Sequence, residues 1–211
     1  VARFYFDFLS PYSHLASQRL AAHPELADAE PIPVVLGTIL SHYDAQGPGE
    51  VPARRRAGLR DVLLLAAHHG LPFRGPPKHP FNSVPALRLV GALAPETRLA
   101  FVRAAFRAAW AEGRDLSDFA VLRDCLSEVG VSDVDPEEAA TDRARRAELK
   151  AQTRAFVDAG GVGVPTFEVQ GVMFFGQDRM DLACRYARGE LAFDPEVLER
   201  LLGRPQPERI R

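Results

Sequence analysis

Residues Arg3 to Leu9 read R-F-Y-F-D-F-L and run directly into Ser10-Pro11. Aromatic enrichment over so short a run argues for a β-strand, and its near-continuous apolarity argues for a central one. Serine is a favoured helix N-cap, and proline at the first helical position has its φ preset. The strand is therefore expected to turn at once into a helix. Leu15, Ala16, Arg19 and Leu20 keep helical spacing up to Pro24, and Pro31 to Leu36 reads as a second strand. Such a strand, helix, strand opening predicts a parallel pair with a right-handed crossover.

The middle of the chain reads as helical. Val51 to Gly70 carries the stripe Leu59, Val62, Leu63, Ala66, Ala67 and ends at a glycine. The proline-rich stretch Leu71 to Pro80 is expected to be loop. Helical patterns return over Pro95 to Glu112 and Ser117 to Gly130. Asp135-Pro136-Glu137-Glu138 reads as a helix start with a capping box. A further helix is expected from Asp142 to Ala159, stopped by Gly160-Gly161. Two short strands follow, Val164 to Val169 and Val172 to Phe175, joined at Gln170-Gly171 by a tight turn. Helices over Asp178 to Ala187 and Asp194 to Leu202 complete the pattern, and the Pro- and Arg-rich end is expected to fray.

This order predicts an α/β fold: one thioredoxin-like domain, residues 1–38 plus 146–211, with an inserted all-helical domain over residues 39–145. Composition narrows the function. Apolar residues are 46% and charged residues 26%, too apolar for a disordered chain. The longest apolar runs, such as Val62 to Ala67, fall far short of the ~18 residues of a membrane helix. A net charge of −2 gives no basic surface for nucleic acid, and Arg54-Arg55-Arg56 reads as a solvated helix face. Cys125 and Cys184 form no C-x-x-C and no metal spacing; both read as small buried hydrophobes. Arg3 and Asp7 interrupt any signal-peptide pattern, so a reducing cytoplasm is the expected compartment.

Three stretches carry chemistry. Ser10-Pro11-Tyr12-Ser13 stands where a thioredoxin-like redox protein has C-x-x-C. Serine cannot cycle through a disulfide, which excludes a dithiol oxidoreductase. What remains is a hydroxyl at a helix N-terminus, either a plain N-cap or a donor to an anion such as the thiolate of a thiol cofactor. In Gly163-Val164-Pro165-Thr166-Phe167, a proline opens a strand that should be internal. It is read as a cis proline that leaves the backbone of Val164 free to pair with an extended peptide, against a trans proline on an edge strand. In Gly176-Gln177-Asp178-Arg179-Met180, Gln177, Asp178 and helix N–H groups can hold a zwitterionic head. The alternative is that Asp178 caps the helix and Arg179 is solvated.

Together, Phe4 to Ala16 (F-Y-F-D-F-L-S-P-Y-S-H-L-A), G-V-P-T-F and G-Q-D-R closely resemble the 2-hydroxychromene-2-carboxylate isomerases, relatives of kappa-class glutathione transferases. The resemblance covers most of the chain. It implies glutathione as cofactor, a homodimer, and a small aromatic substrate from aromatic-compound breakdown. It implies that Ser10 stabilises the glutathione thiolate, which adds reversibly to the substrate so that a bond can rotate. It carries Val164, followed by Pro165, over as the backbone partner of the cysteinyl unit, and Gln177 and Asp178, with Arg179 beside them, as the γ-glutamyl contacts. Lys78-His79-Pro80-Phe81-Asn82 resembles a loop approaching the site, with Asn82 preferred over Lys78. Lys78 is one of only two lysines against 24 arginines. His42 to Pro48 departs from the naphthalene-pathway isomerases, which puts the substrate in question but not the cofactor. A kappa-like transferase or peroxidase shares the same site, and a non-catalytic thioredoxin-fold binding module is the reading from another class.

Overall fold

The computed structural model describes residues 1–205. The frayed end expected from the sequence lies, for residues 206–211, outside them. Strand β1 (Arg3–Phe6) leads into helix α1 (Pro11–Arg19), then β2 (Glu30–Pro33) and α2 (Leu36–His42). Helices α3 (Pro52–His68), α4 (Val84–Ala92), α5 (Pro95–Phe106), α6 (Phe119–Glu128), α7 (Pro136–Thr141) and α8 (Arg143–Asp158) follow. Strands β3 (Thr166–Val169) and β4 (Val172–Phe175) and helices α9 (Met180–Ala187) and α10 (Pro195–Leu202) complete the described chain. The sheet order is β2-β1-β3-β4. β1 pairs parallel with β2 and antiparallel with β3, and β3 pairs antiparallel with β4. β1 is thus central, as its apolarity requires. Gln170 and Gly171 both take positive φ, 51° and 81°, in the hairpin turn the sequence predicts.

Alternation along β1 divides the core. Phe4 and Phe6 face a large cluster with Phe101, Phe106, Trp110 and Phe167, whereas Tyr5 turns to Phe156, Val157, Val34 and Ile39. Helix α8 therefore covers the face opposite α5. Helix α1 meets α3 through Leu15, Val62 and Ala66.

Several elements differ from expectation, each for a local reason. β1 stops at Phe6 because Asp7 turns its carboxylate inward. β2 stops at Pro33, and Leu36, expected in that strand, starts α2, where its N–H meets the same carboxylate. Helix α4, which contains Pro85 and Gly91, is not among the expected helices, yet its Ala86, Leu87, Leu89 and Val90 are all buried. Helix α5 continues as a π-helical stretch over Arg107–Ala111. In α3 only Val62 and Ala66 of the stripe are fully buried, while Leu59 and Leu63 are 42% and 53% exposed. That helix packs through a narrow seam against α1. Asp135 does cap α7, but its carboxylate accepts from Glu137 N rather than closing a box at Glu138. The stretch expected to open the helix at Asp178 is a 3₁₀ turn over Gln177–Arg179, and α9 begins at Met180. No helix among the described residues is long and apolar enough to cross a membrane.

Candidate active site

The turn from β1 into α1 is pinned residue by residue. Asp7 is fully buried; its Oδ1 accepts from Leu9 N at 3.0 Å and its Oδ2 from Leu36 N at 2.8 Å. Burial pushes its carboxyl pKa up, opposed by these N–H donors, which favour the charged form. The Phe8 carbonyl accepts from Trp110 Nε1 at 2.9 Å. The Leu9 carbonyl stands 3.0 Å from His79 Nε2. Trp110 and His79 are in edge contact, centroids 5.4 Å apart. Residues from the helical middle of the chain therefore clamp the two peptides that precede Ser10.

Ser10 is 5% exposed and caps α1, accepting from Ser13 N at 3.1 Å. Its hydroxyl donates to the Val164 carbonyl across 3.4 Å, a long contact. The Val164-Pro165 bond is cis, as the sequence predicts, and so is His79-Pro80, which it did not. The Pro165 carbonyl accepts from Gly176 N at 2.8 Å, tying the third stretch to the second. The hydroxyl's partners are backbone groups rather than a basic side chain, so Ser10 has the surroundings of a hydrogen-bond donor and not of a base-activated nucleophile. His14, one turn on, is buried with both ring nitrogens unpartnered among the described residues, and burial lowers its pKa to about 4. It stays neutral at ordinary pH and offers no charge to the site.

Beside Ser10 a groove of about 440 Å³ runs between Val164, Pro165, Gln177 and Asp178 on one side and Tyr12, Asp61 and Leu65 on the other, with Phe175 and Gly176 completing it. That volume lies within the roughly 300–1,000 Å³ of small-molecule sites. Four of the sequence-predicted site residues thus line one groove, with Ser10 touching its Val164 wall. Gln177 is buried and receives a hydrogen bond from Arg19 Nη1 at 2.8 Å. Asp178 is exposed, makes no cap bond, and lies 3.3 Å from Arg179 Nη1. Arg179, Lys78 and Asn82 are exposed and do not line the groove; Asn82 Oδ1 accepts from Val84 N at 3.3 Å. The loop of Lys78 and Asn82 meets the Ser10 turn through His79 instead.

Sequence reasoning missed Asp61 and Leu65, which α3 brings to the groove, and Tyr12, whose hydroxyl donates to Asp61 Oδ2 at 2.8 Å. Tyr12 stands inside S-P-Y-S, where nothing in the local sequence assigns it a role. Asp61 carries no local signal among the arginines of its helix. The Tyr12 phenol is held well above its usual pKa by burial and by the Asp61 carboxylate.

A second cavity of about 380 Å³ lies at the other end of β1, lined by Arg3, Tyr5, Ile32, Phe156, Glu168 and Met173 among others. Its polar groups satisfy one another: Tyr5 donates to Glu168 Oε2 at 2.6 Å, and Arg3 Nη1 bridges both Glu168 oxygens at 3.2 Å.

Cys125 and Cys184 are both buried, and burial pushes both thiols up to about 11. Only about one in a thousand would be thiolate at pH 8. The native protein is therefore expected to leave a disulfide indicator reagent uncoloured at pH 8 and to release two equivalents of colour on unfolding. Rapid reaction of the folded protein would contradict this burial.

Known proteins share this fold. The chain matches the DSBA-like thioredoxin domain over residues 2–186. It is 29% identical over 191 residues to the 2-hydroxychromene-2-carboxylate isomerase of Sphingobium xenophagum, covering 87% of this chain and 95% of that one. It is 26% identical over 220 residues to glutathione S-transferase kappa 1 of Caenorhabditis elegans, covering 95% and 94%. A solved 2-hydroxychromene-2-carboxylate isomerase shares the fold with a TM-score of 0.77 at 23% identity, over 90% of this chain and 99% of that one. The C-x-x-C positions are serine here, but the sheet, the helices around it and the matched span leave one assignment: the chain belongs to the DSBA-like thioredoxin domain family.

Proposed function

We propose that this chain is a glutathione-dependent isomerase of the 2-hydroxychromene-2-carboxylate type. The observation that carries the reading is the juxtaposition of Ser10, at the α1 N-terminus, with a groove walled by Val164, Gln177 and Asp178. These residues fit a tripeptide thiol. Val164 N–H makes no hydrogen bond among the described residues and is free to meet a peptide carbonyl. Asp178 has only an exposed pair with Arg179 to exchange for an ammonium, and the Ser10 hydroxyl has only a long contact to give up. Bound glutathione supplies a thiol nucleophile that adds to a conjugated substrate and then leaves. The chain's part is to orient that sulfur and to stabilise its anion through Ser10 and the α1 N-terminus. Asn82, Lys78 and Arg179 are proposed as outlying contacts. The helical residues 39–145 are proposed as a domain inserted into the thioredoxin-like one, acting on an aromatic substrate in a cytoplasmic homodimer.

One observation favours a kappa-type transferase or peroxidase as the second reading. Among the described residues no Arg or Lys lines the groove, whereas an aromatic carboxylate substrate calls for one. Calorimetry with reduced glutathione tests both readings: binding at millimolar ligand or tighter is expected, and its absence sinks both. Absorbance assays then separate them. Glutathione-dependent conversion of 2-hydroxychromene-2-carboxylate is expected; thiol conjugation of an activated aryl chloride without isomerisation would select the transferase.

A further inference from the structure

Arg19 stands in the last turn of the helix that Ser10 caps, and its Nη1 donates to Gln177 Oε1. A guanidinium has donors only, so the Gln177 amide can meet it through oxygen alone. That contact fixes which way the amide is turned, independently of how its two ends are drawn. With Oε1 held by Arg19, Nε2 is directed away from it. Gln177 lines the groove, and its Nε2 makes no hydrogen bond among the described residues, although the side chain is 6% exposed. Arg19 is half-buried, and no carboxylate among the described residues pairs with it; burial alone moves its pKa, downward. A neutral amide does not cancel its charge, so a cation stands behind Gln177, while the charged groups in the groove's own lining are the carboxylates of Asp61 and Asp178.

We infer that Arg19 is a positioning residue: it turns Gln177 so that the groove presents an amide N–H donor backed by an uncancelled cation, and thereby selects ligands that carry a carboxylate there. The inference rests on the glutathione reading and divides the γ-glutamyl head between two side chains. The α-carboxylate goes to Gln177 Nε2 and the α-ammonium to the exposed Asp178. Without Arg19 the amide could turn its oxygen forward and meet the carboxylate with an acceptor.

The test compares reduced glutathione with 4-aminobutyryl-cysteinylglycine, which lacks only the γ-glutamyl α-carboxylate, by calorimetry. Wild type is expected to bind glutathione more tightly than the analogue. Arg19→Met is expected to weaken glutathione about 10- to 100-fold, the range of one charge-assisted hydrogen bond, and to leave the analogue's affinity unchanged. Arg19→Lys, still a donor, is expected to restore most of the loss. Gln177→Glu, paired to Arg19 and without a donor, should weaken glutathione as Arg19→Met does. Equal weakening of both ligands by Arg19→Met, or no weakening of either, overturns the role of Arg19 while the glutathione reading stands. Equal affinity of wild type for the two ligands overturns carboxylate selection. If wild type binds neither ligand, the glutathione reading falls and this inference with it.

Discussion

Ser10→Ala is expected to lower turnover about 10²- to 10³-fold, the usual cost of removing one preorganised donor, about 3–4 kcal/mol in the transition state. The side chain has two separable jobs. As N-cap it accepts from Ser13 N, and losing that bond costs about 1 kcal/mol of stability. As donor it is held to the Val164 carbonyl only across 3.4 Å, so a sulfur anion brought to the groove is the stronger acceptor and takes over that hydrogen bond. Ser10→Ala should therefore also raise the pKa of glutathione bound to the protein, read from thiolate absorbance against pH. Ser10→Cys should give no disulfide cycle, since Ser13 is no resolving thiol. Should wild type and Ser10→Ala share one thiolate titration and one rate, Ser10 is a cap alone and the proposed mechanism is wrong.

What the sequence disclosed is what local chemistry determines. The F-Y-F run announced a central strand, Ser10-Pro11 the start of α1, and Gln170-Gly171 the hairpin, because each feature acts on its own neighbours. Three of the motifs converge on one groove because the β-α-β opening and the closing hairpin put strand ends side by side. The sequence was silent where partners lie far along the chain. Asp61 reaches Tyr12 across 49 positions, and Arg19 reaches Gln177 across 158. His79 and Trp110 hold the carbonyls of Leu9 and Phe8 from loops and helices whose docking no spacing reveals. Helix α4 was hidden for the opposite reason. Buried on most sides, it has no polar face to set a period, and its proline and glycine mimic a loop.

The largest stability effect is expected at Asp7. Its carboxylate is the acceptor for two part-buried backbone donors on different segments, Leu9 before α1 and Leu36 at the start of α2. Asp7→Ala strands both, at about 1–3 kcal/mol each, so about 2–6 kcal/mol in all. Against a typical total of about 5–15 kcal/mol, that brings the fold close to its limit. Because Leu9 directly precedes Ser10, activity should fall even where the variant stays folded. Asp7→Asn keeps one acceptor oxygen and should cost less, and it removes the titration. The sign of the pH dependence follows from the raised pKa. A carboxyl with a folded pKa above its unfolded value of about 3.9 holds more protons in the fold across the window between the two. Stability from this group is therefore highest below about pH 3.9 and declines as pH rises through the folded pKa. The difference in urea-unfolding free energy between wild type and Asp7→Asn should accordingly shrink as pH rises above about 4, then level off. A difference that instead grows as pH rises toward about 4 and is level above about 5 would mean the N–H donors outweigh burial and hold the Asp7 pKa below, not above, its ordinary value.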